Sequence, residues 1–236
     1  MEAAIGTCFH EYAALCLETG FDPYVFVGKP CDTDKGVIIF DQKMADNMLY
    51  GLDYLRDLAA QPGVLMFVEV KVDISPWVGH DAEGNPGFGT SDCFLIDVLN
   101  RRIIVFDWKY GAGVPVSPNW NDQAILYFLG VWQTMAGEMF DWNSADIEVQ
   151  IIIEQPRAPG GGGIWPTDVD TLLREGEKIK IDALATEDPD APCNPGTKQC
   201  GFCKAAAHNT CKDRAAWLLG MFDLSLEEAQ EFGEIS

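Results

Sequence analysis

The sequence predicts a mixed α/β domain on a small sheet, followed by a cysteine-rich tail. Three observations predict it. Stretches with apolar residues at helical spacing alternate with short runs of nearly solid hydrophobics. Two of those runs lie on either side of a turn near Asn100, in "TSDCFLIDVLNRRIIVFDWKYGAG", and read as a hairpin. Cys193, Cys200, Cys203 and Cys211 crowd into one short segment near the end. A chain of 236 residues, 47% hydrophobic and 11% aromatic, is long enough for one substantial core with an appendage.

The elements follow in order. "GTCFHEYAALCLETG" (6–20) reads as a helix closed by Gly20, with His10, Ala13, Ala14 and Leu17 on one face. Residues 21–43, punctuated by Gly, Pro and Asp, read as irregular. "DQKMADNMLYGLDYLRDLAAQPG" is a second amphipathic helix, stopped by Pro62-Gly63. "VLMFVEVKVDIS" is a strand, "PWVGHDAEGNPGFG" a glycine-rich loop, and 90–113 the hairpin. "NDQAILYFLGVWQTMAG" is a third helix and "DIEVQIIIEQPR" another strand. "APGGGG" is a loop, and "PTDVDTLLREGEKIKIDALA" a helix with Thr167 as cap and Asp170 three residues on. The end, "DLSLEEAQEFGEIS", is a short acidic helix with Ser225 and Glu228 spaced as a capping box. The division expected is 1–185 for the core and 186–236 for the tail.

The formal charge is −21 and the isoelectric point near 4.2, which argues against nucleic-acid binding by a cationic surface. Divalent metals or a local basic patch can supply the missing cation; Arg101-Arg102 and Lys198, Lys204 and Lys212 are the local candidates. No apolar run approaches the roughly 20 residues of a membrane helix. The start, "MEAAIGTCFHEY", lacks a basic segment followed by an apolar one, so no signal peptide is expected, and the cysteines are expected in a reducing cytoplasm. Without a Walker loop or a dinucleotide fingerprint, a motor or a dehydrogenase is excluded.

The stretch "IIVFDWKYGAG" carries the chemistry. Strand alternation puts Ile103, Val105, Asp107 and Lys109 on one side and Ile104, Phe106 and Trp108 on the other. A carboxylate and an ammonium at the mouth of a buried strand are costly unless something uses them. Hairpin pairing brings Asp92 to the same place. Two carboxylates with an adjacent lysine suit Mg²⁺ or Mn²⁺, and equally describe a plain salt bridge at a strand end. Gln123 and Tyr127 lie one helical turn apart and face one way, as a site or as ordinary packing.

The ordered set "GTCFH" (6–10), "GTSD" (89–92), "DWKYGAGVPV" (107–116), "QAILY" (123–127) and "QPR" (155–157) resembles the PD-(D/E)XK nucleases of the RecB type, which include lambda exonuclease and the CRISPR-associated RecB-like exonucleases; the resemblance is strongest to phage-encoded RecB-like proteins. It implies a restriction-endonuclease-like core: a small central mixed sheet flanked by helices. It implies Asp92 and Asp107 as metal ligands, His10 as a further ligand, Lys109 as the catalytic lysine, and Gln123 and Tyr127 steadying site and DNA backbone. Glu69 is an accessory acidic candidate, and Arg157 a surface arginine or a phosphate contact. The implied activity is a Mg²⁺- or Mn²⁺-dependent DNA exonuclease in phage recombination or DNA processing, acting in the host cytoplasm beside a single-strand annealing protein. Two other readings stand next to it: a non-catalytic acidic binding module on the same scaffold, and a structural protein centred on the tail.

In that tail, Cys200-x-x-Cys203 has the spacing that lets two thiolates reach one metal, and Cys193 and Cys211 complete a four-cysteine site for zinc or an iron–sulfur cluster, with His208 as a substitute zinc ligand. The resemblance implies a 4Fe–4S cluster that staples the termini. The chain departs from the family at the front, where the usual cysteine segment is missing, so the fourth ligand falls to Cys193, Cys16 or Cys31, and zinc stays open. Cys8, Cys16, Cys31 and Cys93 read as small core residues.

Overall fold

The computed structural model of the chain describes residues 2–136, 142–188, 190–201 and 203–221. The chain divides into two compact units, 1–184 and 185–236.

The first unit is a mixed α/β fold. Its helices are α1 (Glu2–Thr19), α2 (Gln42–Ala59), α3 (Ser75–Val78), α4 (Asp122–Val131) and α5 (Val169–Ala185). Its strands are β1 (Pro30–Thr33), β2 (Gly36–Ile39), β3 (Val64–Asp73), β4 (Phe88–Asp97), β5 (Arg102–Trp108), β6 (Glu148–Glu154) and β7 (Gly163–Asp168). The central sheet has five strands in the order β3-β4-β5-β6-β7. Only the β5–β6 pair is parallel; the other three are antiparallel. A parallel return needs a crossover, and α4 supplies it.

The period-2 pattern decides which face each helix covers. Phe94, Ile96, Ile103, Val105, Val149 and Ile151 point to the side packed by α4 and the start of α5. Cys93, Leu95, Ile104, Phe106, Trp108 and Ile152 point to the side packed by α1 and α2. Each such side chain, fully buried, contributes about 1.5–3 kcal/mol, so both faces of β4 and β5 resist a register slip.

Local signals explain the boundaries. Gly20, at φ +74°, closes α1 by donating to the Cys16 carbonyl. Asp41 caps α2 by accepting from the Met44 N–H, and Asn121 caps α4 by accepting from Ala124. At the β4–β5 turn the buried Asp97 accepts from the backbone and side chain of Asn100 and pairs with Arg102 at 3.1 Å.

Four expectations need correction. Residues 21–43 are not irregular throughout: β1 and β2 form a two-stranded antiparallel hairpin, Pro30↔Ile39 to Thr33↔Gly36. Its signal was masked because the strands are four residues each, one opening on Pro30 and the other on Gly36. The glycine-rich loop opens with the single turn α3. Thr167 does not cap a helix. It pairs with Val149 in β7, and Asp168 is the residue that accepts from the Thr171 N–H at the start of α5. Pro166 is tolerated there because β7 is an edge strand. Finally, the face of α1 read from spacing is core only in part: Ala13 and Leu17 are buried with Cys8, Phe9, Tyr12 and Cys16, while Ala14 is half-buried and His10 is turned toward β4.

Among the described residues of the second unit are three short helices: α6 (Thr197–Cys200), α7 (Lys204–Ala207) and α8 (Lys212–Gly220). Cys211 is the cap of α8, its Sγ accepting from the Arg214 N–H at 3.4 Å. The expected acidic helix with Ser225 and Glu228 lies outside the described residues. Among those described, no helix is long and apolar enough to cross a membrane.

Candidate active site

The register of the hairpin builds the site. Cys93 pairs with Phe106, so one step further along the ladder Asp92 faces Asp107. Asp92 Oδ2 accepts from the Trp108 N–H at 2.7 Å, which closes the strand ends together. Its Oδ1 lies 3.0 Å from His10 Nδ1, delivered from α1. Asp107, only 4% exposed, is 2.8 Å from Lys109 Nζ. Lys109 Nζ donates to Gln123 Oε1 at 2.6 Å, and Gln123 Nε2 donates to the Tyr127 hydroxyl at 2.6 Å. A chain of polar contacts thus runs from β5 onto α4. Gly89 makes this possible: a Cβ there would run into the Tyr127 ring.

Glu69 joins from β3. The β3–β4 ladder pairs Val68 with Cys93 and Val70 with Ser91. Between them Glu69 takes φ +50°, a left-handed conformation costly for a non-glycine residue. Donor atoms of His10, Glu69 and Asp92 all lie within 4.8 Å of one another.

The electrostatics follow from this crowding. Burial, then the Asp92 charge, pushes Asp107 up to about 6, against the pull of Lys109. Burial and Asp92 likewise push Glu69 up to about 7. Burial works to lower His10, but the hydrogen bond to Asp92 and the charges of Asp92, Asp107 and Glu69 outweigh it and raise it. Two carboxylates pushed up in this way beside Asp92, with an imidazole among them, form a donor set short of positive charge. Asp107 Oδ2 is buried with no hydrogen-bond partner: the Lys109 contact has the distance of an ion pair but not hydrogen-bond alignment. An oxygen-rich set with one imidazole fits Mg²⁺ or Mn²⁺.

A cavity of about 430 Å³ opens over Asp92, Asp107 and Lys109. A wider groove of about 790 Å³ runs along α1 past Glu11 and Glu18 and shares His10 and Asp92 with it. The cavity is therefore approached through acidic surroundings, which favour cations.

The structure brings together His10, Glu69, Asp92, Asp107, Lys109, Gln123 and Tyr127. In the second unit, donor atoms of Cys193, Cys211 and Asp213 lie within 4.8 Å of one another, with Cys200 and Cys203 outside that group. Cys8, Cys16, Cys31 and Cys93 are buried in the first unit. Arg157 is not a free surface arginine: it pairs with Glu2 at 3.1 Å and donates to the Tyr110 carbonyl. One residue went unnoticed in the sequence, and a second stood only as the first letter of "QPR", with no role attached. Glu154 ends β6 and accepts from Trp108 Nε1 at 3.0 Å, with burial pushing it up to about 7. Gln155, also buried, follows it. Their signal was the one used for Asp107, a polar residue ending a run of buried hydrophobics.

Residues 1–234 match the family described as "Protein of unknown function (DUF2800)", and the chain belongs to it. Among solved structures, the chain is similar to a crystal structure described as that of a candidate exonuclease from Eubacterium rectale, with 11% identity, a TM-score of 0.38, and 88% of this chain and 74% of that one covered.

Proposed function

We propose that this member of the DUF2800 family is a Mg²⁺- or Mn²⁺-dependent nuclease of the PD-(D/E)XK, RecB-like type, hydrolysing phosphodiester bonds of DNA. One observation carries the reading. Asp92, Asp107 and Lys109 converge at the open end of a hairpin, and Lys109 is tied through Gln123 to Tyr127 on the helix that crosses to the parallel strand. The order of two antiparallel strand pairs, a helix and a parallel strand supports the restriction-endonuclease-like core.

Asp92 and Asp107 would hold the metal, with His10 and Glu69 completing the donor set on the α1 side. Bound there, it would offset the phosphate's charge and lower the pKa of an attacking water. The protein's own groups do the rest. Lys109 Nζ, held by Asp107 and Gln123, sits where it can orient that water or neutralise charge building on the phosphate oxygens. Tyr127 fixes the Gln123 amide, so the lysine keeps its aim. Burial of Asp107 keeps competing water away from the ligand oxygen.

For the tail we propose a structural metal site. Cys193 and Cys211 would be ligands of a 4Fe–4S cluster or of zinc with Cys200 and Cys203, and their proximity supports it. Asp213 beside them favours zinc, since an oxygen donor is ordinary for zinc and foreign to a four-cysteine cluster. The setting we propose is phage recombination or DNA processing, with an annealing protein as partner. The −21 charge favours a second reading, an acidic module that binds a basic protein through the same scaffold.

The test is digestion of end-labelled linear duplex and closed circular DNA with Mg²⁺, Mn²⁺ or EDTA. Metal-dependent loss of the linear DNA, absent in Lys109→Ala, is expected. No cleavage by folded wild type with either metal sinks the nuclease reading and leaves the binding module.

A further inference from the structure

The segment Tyr110–Val116, "YGAGVPV", walls the cavity over Asp107 and Lys109 and has no regular secondary structure of its own. Its backbone is held from outside. Gln155 Oε1 accepts from the Val116 N–H at 2.7 Å. Gln155 Nε2 donates to the carbonyls of Gly111 at 3.2 Å and Val114 at 3.0 Å. The Gly162 N–H donates to the Val116 carbonyl at 2.7 Å. Arg157 Nη1 donates to the Tyr110 carbonyl at 3.0 Å. One buried amide, 7% exposed, therefore spends its acceptor and both donors on a single loop.

Gly161, within the glycine run, makes room for that amide. A Cβ on Gly161 would run into Gln155 Oε1 and lie 2.8 Å from its Cδ. A Cβ on Gly162 would lie 2.7 Å from the Ile153 carbonyl oxygen and 3.1 Å from the backbone nitrogen of Gln155, so this glycine serves the close approach of two backbones. Gly162 and Gly163 also have φ of +78° and +129°, which side chains rarely adopt.

We propose that Gln155 is a positioning residue of the site: it fixes the 110–116 wall so that a DNA strand entering the cavity is set against Asp107 and Lys109, and Gly161 keeps the space its amide needs. This rests on the nuclease reading. A wall released by a fraction of an ångström misplaces the scissile phosphate without removing any metal ligand. Misalignment of about 1 Å costs roughly a hundredfold in rate.

A double-mutant cycle tests it: wild type, Gln155→Ala, Gly161→Ala and the pair, assayed on linear duplex DNA with Mn²⁺ well below each melting temperature. Gln155→Ala is expected to lower kcat by about ten- to a hundredfold with little change in KM, and to leave the Mn²⁺-induced rise in melting temperature intact. Gly161→Ala is expected to produce a similar loss by pushing the amide aside. The pair is expected to be no worse than Gln155→Ala, because the new methyl occupies the space the amide vacated. Wild-type kcat in Gln155→Ala, losses that simply add, or a change confined to melting temperature overturns the proposal. If Gln155→Ala does not fold, Gln155→Glu at pH 8 carries the same test, since it keeps the acceptor for Val116 and sets a carboxylate against two carbonyls. A wild type that cuts nothing overturns both this proposal and the nuclease reading; a wild type that cuts beside an indifferent Gln155→Ala overturns this one alone.

Discussion

Trp108 stands between Asp107 and Lys109 and is held from three directions. Its N–H donates to Asp92, its indole donates to Glu154, and its ring meets Phe9 and Phe106 edge-on. The charged pair is thereby presented from a fixed frame. Replacing Lys109 with alanine leaves that frame in place, so Lys109→Ala is expected to lose about a hundred- to a thousandfold in cleavage rate while keeping its Mn²⁺-induced thermal shift. Glu154 sets a second, independent expectation. Burial raises it to about 7, above the ordinary carboxyl value, so the folded state holds a proton that the unfolded chain has already lost. Its contribution to stability is full below the ordinary value, falls as pH rises from about 4.5 to 7, and is flat above. Glu154→Gln is expected to remove that slope and to stabilise the protein at pH 8 by on the order of 1–3 kcal/mol, read by denaturant melts at pH 5 and pH 8.

At the scale of elements, α4 decides whether the site is aligned, because Gln123 and Tyr127 ride on it. Gly130 lets it approach β3: a Cβ there would lie 2.7 Å from Val72 Cβ and 3.1 Å from the Asp73 carbonyl oxygen. Alanine in a helix is worth about 1 kcal/mol over glycine, but overpacking against backbone costs about 1–3 kcal/mol. The second effect wins, since the Asp73 carbonyl cannot rotate away. Gly130→Ala is expected to lower the melting temperature and, by lifting α4, to reduce cleavage as well. A stabilised, fully active Gly130→Ala would show that α4 is free to shift.

For the whole molecule, 37 acidic residues against 16 Lys and Arg set the terms on which the proposed nuclease would meet DNA. Little cationic surface means few counterions released, so the salt dependence of DNA affinity is expected to be shallow and the affinity to collapse in EDTA. The same charge would make binding of the proposed metal a source of stability. Glu69, near 7, and Asp107, near 6, must lose their protons to take a cation, so the cation competes with protons. Mn²⁺ is expected to raise the melting temperature more at pH 8 than at pH 5.5, and Asp92→Asn is expected to abolish the difference. A shift equal at both pH values would place the cation elsewhere.

Much of this was legible in the order of residues alone. The central strands and their hairpin show because alternation and turn chemistry are local, and the faces of Asp107 and Trp108 follow from period 2. Asp92, Asp107 and Lys109 could be grouped because one hairpin joins them. The β1–β2 hairpin and β7 escaped, since a short edge strand buries too little to leave a pattern. Glu69 was a loose candidate because nothing in "VLMFVEVKVD" announces a left-handed residue; the crowding of His10 and Asp92 accompanies it. Gln155 stood only as part of "QPR", and the glycines at 161–162 only as part of a loop, because the reason for them is a segment some 40 residues earlier in the chain. The sequence by itself determined the long central strands, the long helices and the chemical kinds present. Only the tertiary structure decided which of them meet, because the hydrogen bonds and charge interactions that make a site act over a few ångströms, whatever the separation along the chain.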